Sequence, residues 1–177
     1  DYFADIKGHW AQKSIEKMAE KGIVKGDDGY YRPEASVTRA ELITMVVRAL
    51  NLKAEGTDTG FSDVSSDAWY APYIKAALEN DIIAKDSVFR PDAFVTREEM
   101  SKILSNTDAA AQGKSVTADD AKPLSYRDRD SISDWAKPYV QYASENGLMN
   151  GLENNDFAPL LNATRAQVAT VLARIFD

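Results

Sequence analysis

The 177-residue sequence has no cysteine, a single histidine, and fewer bases than acids: 21 Lys and Arg against 28 Asp and Glu. Without cysteine there are no disulfides, thiolate nucleophiles or zinc–cysteine sites. One histidine, His9, cannot supply a Ser–His or Cys–His pair more than once. The formal net charge of -7 disfavours nucleic acid or an anionic membrane as partner, because both require a broad basic field. No stretch approaches the roughly 20 apolar residues of a membrane span. Nor does any read as a basic-then-apolar signal peptide. What remains, 44% hydrophobic and 28% charged, is the composition of a soluble globular chain.

The chain repeats itself three times. Each unit opens with an aromatic residue followed two positions later by aspartate: Phe3 and Asp5, Phe61 and Asp63, Tyr126 and Asp128. A tryptophan follows (Trp10, Trp69, Trp135), then an aromatic-x-Pro turn (Tyr31 to Pro33, Phe89 to Pro91, Phe157 to Pro159). Each unit closes on a Thr-Arg pair ahead of an apolar helical pattern: "VTRAE" from Val37, "VTREE" from Val95 and "ATRAQ" from Ala163. The Trp-to-Arg separation is 29, 28 and 30 residues, so the intervening loop varies slightly in length. These landmarks place repeat 1 at 1–52, a linker at 53–60, repeat 2 at 61–105, a long polar surface loop at 106–125 and repeat 3 at 126–177, together one compact domain.

Period and punctuation predict an all-α fold of helix-loop-helix repeats. Helical spacing follows each tryptophan, over Ala11–Lys21, Ala71–Asn80 and Ala136–Asn146. Gly22, Asp81 and Gly147 stand where a left-handed cap would end these helices. The short apolar pairs after them (Ile23-Val24, Ile82-Ile83, Leu148-Met149) are expected to be buried. A two-helix unit of this size cannot bury both its apolar stripes, but three units can share a core.

The Thr-Arg pair divides into two parts. Thr38 with Glu41, Thr96 with Glu99 and Thr164 with Gln167 match the capping box, in which the hydroxyl accepts from the N3 amide and the N3 side chain reaches back to the cap amide. Arg39, Arg97 and Arg165 are not explained by capping. A cation in the first turn costs roughly 0.3–1 kcal/mol. Two readings remain. Free helix amides and a guanidinium would form an anion site; alternatively each arginine pairs with a carboxylate such as Asp5, Asp63 or Asp128. Trp10, Trp69 and Trp135 are likewise either core residues or platforms on which a sugar ring packs.

Taken together, these residues resemble the S-layer homology domain, usually found in three tandem copies. The resemblance covers all three units. It implies three repeats about a pseudo-threefold axis, a three-pronged spindle around a central three-helix bundle. It also implies a non-catalytic module, without metal or cofactor, that anchors a larger surface protein to the secondary cell-wall polysaccharide of a Gram-positive bacterium. The expected location is therefore extracellular, in the cell wall or S-layer. The partner it implies is an anionic polysaccharide bearing pyruvylated N-acetylmannosamine, bound in grooves between repeats. Carried over by position, Arg39, Arg97 and Arg165 would contact the pyruvate carboxylate or hold the groove. Trp10, Trp69 and Trp135 would flank sugar rings, and Asp5, Asp63 and Asp128 would orient an arginine or accept from sugar hydroxyls. Gly26 and Gly151 would let backbone approach the ligand; repeat 2 has Ala84 or Lys85 there, and its loop is one residue shorter. Repeat 3 departs at Gln167 and at Ala158, so unequal sites are expected.

Two other function classes fit less well. An enzyme needs one asymmetric site, and this sequence repeats instead of singling one out. A helical-repeat scaffold for protein partners would normally show repeats of roughly 34–47 residues, shorter than these. Asp128, Asp130 and Asp134 suggest calcium, but Ser133 and Tyr139 stand where an EF-hand needs glycine and glutamate.

Overall fold

The computed structural model describes residues 2–117 and 123–177. Among them the fold is all-α, with isolated bridge pairs in place of strands. The helices are α1 (Gln12–Glu20), α2 (Arg39–Ala49), α3 (Ala71–Glu79), α4 (Arg97–Ala111), α5 (Lys137–Glu145) and α6 (Arg165–Phe176), and two short 3-10 turns, Arg129–Ser131 and Asp134–Ala136, precede α5.

The first helix of every repeat ends on the same device. Gly22, Asp81 and Gly147 take positive φ of 72°, 57° and 67°. The next residue's amide then reaches back to a carbonyl inside the helix: Ile23 to Met18, Ile82 to Ala77 and Leu148 to Ala143. This Schellman pattern satisfies carbonyls that would otherwise lack donors and turns the chain toward the loop. The apolar pair that follows is buried in repeats 1 and 3 but half-buried at Ile82-Ile83.

The second helices start on threonine. The hydroxyls of Thr38, Thr96 and Thr164 accept from the amides of Glu41, Glu99 and Gln167, each worth about 1 kcal/mol. The full reciprocal box closes at Thr164–Gln167. In repeat 1 the Glu41 carboxylate does not complete it; its Oε1 accepts from the Thr38 hydroxyl, and its Oε2 is drawn to Arg165.

The chain forms two compact units, 1–95 with 164–177 and 96–163, and their boundaries cut across the repeats. Within the first unit α1 packs on α6, α3 on α2, and α2 on α6. Its core includes Ile15, Met18, Leu42, Ile43, Ile74 and Leu172. Within the second unit α5 packs on α4 around Met100, Leu104 and Val140. The first helix of each repeat thus packs on the second helix of another repeat. A helix with one apolar stripe needs a partner stripe, and here sequence neighbours do not supply it.

Helix α4 runs to Ala111, six residues into the loop expected at 106–125. Thr107, Asp108 and Ala109 are buried there, and Asp108 accepts from the hydroxyl of Tyr142 on α5. The alanine-rich end is a strong helix former, and tertiary contact outweighs the polar composition. The remainder of that expected loop includes 118–122, which lie outside the described residues.

Candidate ligand-binding cleft

The loop of each repeat is built on its opening pair. The aromatic residue packs on the aromatic of the turn: Phe3 on Tyr31, Phe61 on Phe89 and Tyr126 on Phe157, at 5.4, 5.5 and 5.2 Å between ring centres. The aspartate then accepts two backbone amides. Asp5 takes Tyr31 and Arg32 at 2.9 and 2.7 Å, Asp63 takes Phe89 and Arg90 at 2.8 and 2.7 Å, and Asp128 takes Phe157 and Ala158 at 2.8 and 2.9 Å. The second residue of each pair is left-handed, with φ of 58°, 59° and 55°. The carboxylate therefore clamps a turn that L-residues disfavour. Burial pushes the Asp5 and Asp63 carboxyls up, and the donated amides more than reverse it, so both titrate below the ordinary aspartate range. The alternative pairing of these aspartates with the repeat arginines does not form within either unit, because both carboxylate oxygens are already taken by the turn.

The helix-start amides are also committed, which corrects the expectation of a free anion site. Arg39 and Ala40 donate to Ala93 and Pro91, Arg97 and Glu98 to Leu161 and Pro159, and Arg165 and Ala166 to Ala35 and Pro33. Each Thr-Arg helix thus docks its N-terminus on the Pro turn of another repeat. The arginine side chain follows the same route. Nε donates to the carbonyl of Phe89, Phe157 or Tyr31 at 2.8, 2.7 and 2.7 Å, and the guanidinium lies over that residue's ring at 4.9, 5.1 and 4.5 Å. These contacts offset the cost of a cation at the positive end of a helix.

In the first unit this docking opens a cleft of about 370 Å³. One wall is the repeat 1 loop, with Lys25, Gly26, Asp27, Tyr30 and Arg32; the others bring Glu41 and Arg48 from α2, Trp69 from repeat 2 and Arg165 from repeat 3. Four bases thus face two acids in a chain whose net charge is -7. Trp69 is 58% exposed, and its ring meets Tyr70 edge-on at 5.3 Å.

A family profile described as the S-layer homology domain matches this chain three times, over residues 2–43, 60–101 and 125–169. The chain belongs to the S-layer homology domain family. The amylopullulanase of Thermoanaerobacterium thermosulfurigenes is 42% identical and exoglucanase XynX of Acetivibrio thermocellus 41%, each over 99% of this chain. The surface-layer 125 kDa protein of Lysinibacillus sphaericus is 34% identical over the same share. This S-layer homology chain spans only 9%, 16% and 15% of those three proteins, so it matches a small part of each.

Of the residues singled out in the sequence, the cleft brings together Trp69, Arg165 and Gly26. Trp and Arg come from different repeats, so the similar Trp-to-Arg spacing within each repeat does not identify the pair that shares a cleft. Gly26 has a second reason to be glycine: a Cβ there would lie 2.4 Å from the Phe3 ring and 2.4 Å from the Tyr30 carbonyl oxygen. At Gly151 the nearest atoms would be 3.1–3.3 Å away. Ala84 and Lys85 are exposed in repeat 2, where the loop closes through Ser62 and Ser87. Trp10 and Trp135 are exposed too, at 65% and 47%. Trp10 stacks beside His9, whose Nε2 lies 2.6 Å from Glu34; Lys102 sits 5.7 Å over the Trp135 ring.

In the second unit Arg97 is only 4% exposed. It donates to the carbonyls of Phe157 and Asn150, and burial lowers its pKa. Its neighbour Glu98, also buried, accepts from the amide and hydroxyl of Ser133 and so fixes the approach to α5. Arg48 of the cleft carries no mark in the repeat pattern: the same offset from Thr-Arg holds Asn106 in repeat 2 and Arg174 in repeat 3. Its place in the last turn of α2 was the available signal.

Proposed function

We propose that this domain is a non-catalytic anchor that holds a larger surface protein to an acidic cell-wall polysaccharide, and that the cleft at Trp69 takes a pyruvylated N-acetylmannosamine unit of that polymer. The observation that carries this reading is the cleft itself. An exposed indole, a good face for a sugar ring, stands beside a local excess of cations on an otherwise acidic chain. The family match and the relatives support it. Proteins with different names, two enzymes and a surface-layer protein, share this one segment, which points to attachment instead of catalysis as its contribution. The site of action is the bacterial cell surface.

Within this reading Trp69 stacks on the sugar, and Gly26 and Lys25 present backbone and charge from the loop. Asp5, Asp63 and Asp128 act indirectly, by holding the three turns in shape. The exposed Trp10 and Trp135 are read as further sugar platforms. Arg39, Arg97 and Arg165 hold the turns on which their side chains rest.

Co-sedimentation with purified cell walls tests the proposal. The domain should pellet with intact walls and stay in solution once the secondary polysaccharide has been chemically stripped. Trp69→Ala should weaken pelleting without changing the melting temperature. Equal binding to stripped walls would refute the reading.

A further inference from the structure

We infer that Arg48, and not the arginine of the repeated Thr-Arg pair, receives the acidic group of the ligand in this cleft. The inference rests on the reading above and adds which residue recognises the charge.

The four bases of the cleft are not equally available. Three of the five N–H donors of Arg165 are taken: Nε donates to the Tyr31 carbonyl at 2.7 Å, Nη2 to the Lys25 carbonyl at 2.9 Å and Nη1 to Glu41 at 2.7 Å, while one face covers the Tyr31 ring. A ligand carboxylate brought to Arg165 would meet the Glu41 carboxylate as well, and like charges at that range repel. Arg32 lies 3.4 Å from Asp27. Lys25 is exposed, and a solvated ammonium on a flexible stem adds charge without fixing the orientation of a carboxylate.

Arg48 differs from all three. Its guanidinium carbon lies 5.2 Å over the Tyr73 ring, and its side chain makes no hydrogen bond or ion pair among the described residues. It is half-buried in the last turn of α2, where the helix dipole favours a cation but does not require a guanidinium. Ring contact restricts the side chain while leaving its five N–H donors unspent. A planar fork held in this way can take a carboxylate through two parallel hydrogen bonds. Repeat 2 has Asn106 at the same offset, so this recognition is not repeated in every copy.

Calorimetric titration with a pyruvylated N-acetylmannosamine disaccharide and its pyruvate-free counterpart tests the inference. The wild-type domain should prefer the pyruvylated sugar. Arg48→Ala should lose roughly 10- to 100-fold in affinity for it. The same variant should bind the pyruvate-free sugar as the wild type does, with its melting temperature lowered only slightly by loss of the ring contact, and Arg48→Lys should recover part of the loss. If Arg48→Ala keeps the wild-type preference, or weakens both sugars equally, the inference is overturned while the cleft remains the binding site. If the wild type binds both sugars alike, recognition of the acid fails. If it binds neither, the proposed function fails with it.

Discussion

Arg165 and Arg97 occupy the same position of the same motif, yet their surroundings differ. Arg165 borders an open cleft and shares its charge with Glu41, whereas Arg97 is buried and donates to the carbonyls of Phe157 and Asn150. Both arginines clamp the Pro turn of another repeat through the same Nε-to-carbonyl bond. The comparison separates two roles that the motif alone merges. Clamping is common to the repeats, while the cleft depends on residues outside the motif, Trp69 and Arg48 among them.

The largest test of this contrast is removal of each arginine. Arg97→Ala strands the buried Phe157 carbonyl and opens a hole, and should cost about 4 kcal/mol in denaturant unfolding. Arg165→Ala, at a partly solvated site, should cost about 2 kcal/mol. Equal losses would mean that burial does not distinguish the two. The glycines give the next contrast. Gly26→Ala drives a methyl into the Phe3 ring and the Tyr30 backbone and should cost about 3 kcal/mol; Gly151→Ala, with looser neighbours, should cost under about 1 kcal/mol.

Smaller effects follow at the turns and caps. Asp5→Ala frees two amides and should cost about 2 kcal/mol. The carboxyls of Asp5 and Asp63 titrate below their ordinary value in the folded state. The stability they confer is therefore present above an unfolded pKa of about 3.9 and fades as pH falls from there through the lower folded values. Acid unfolding of Asp5→Ala should be shallower across that window. Thr164→Ala should cost about 1 kcal/mol by loss of the cap. Last, Ala158 is left-handed where repeats 1 and 2 have Arg32 and Arg90. Ala158→Gly should raise stability by about 0.5 kcal/mol, relief of backbone strain slightly exceeding the added chain entropy.

Much of the fold was legible in the residue order. Helix positions, the left-handed ends at Gly22, Asp81 and Gly147, and the threonine caps are local matters of period, backbone freedom and hydroxyl reach, and the structure shows them where the sequence placed them. The site was less legible. The aspartates were expected near arginines, but their oxygens bind the amides of turns about 26–30 positions away. One of the two readings left the helix-start amides free, but another repeat's turn takes them. Arg48 carries no signal in the repeat pattern, since repeat 2 has Asn106 at the same offset.

The sequence by itself determined three copies of one unit, their helices and their caps, because these depend on neighbours within a few residues. Only the tertiary structure decided which helix covers which, and that Tyr31 meets Arg165 across 134 positions. Apolar stripes and carbonyl acceptors carry no label for their partners. Three similar repeats offer several chemically equivalent pairings, and packing selects among them. That choice turned Arg97 inward and left Trp69, Arg48 and Arg165 around one cleft.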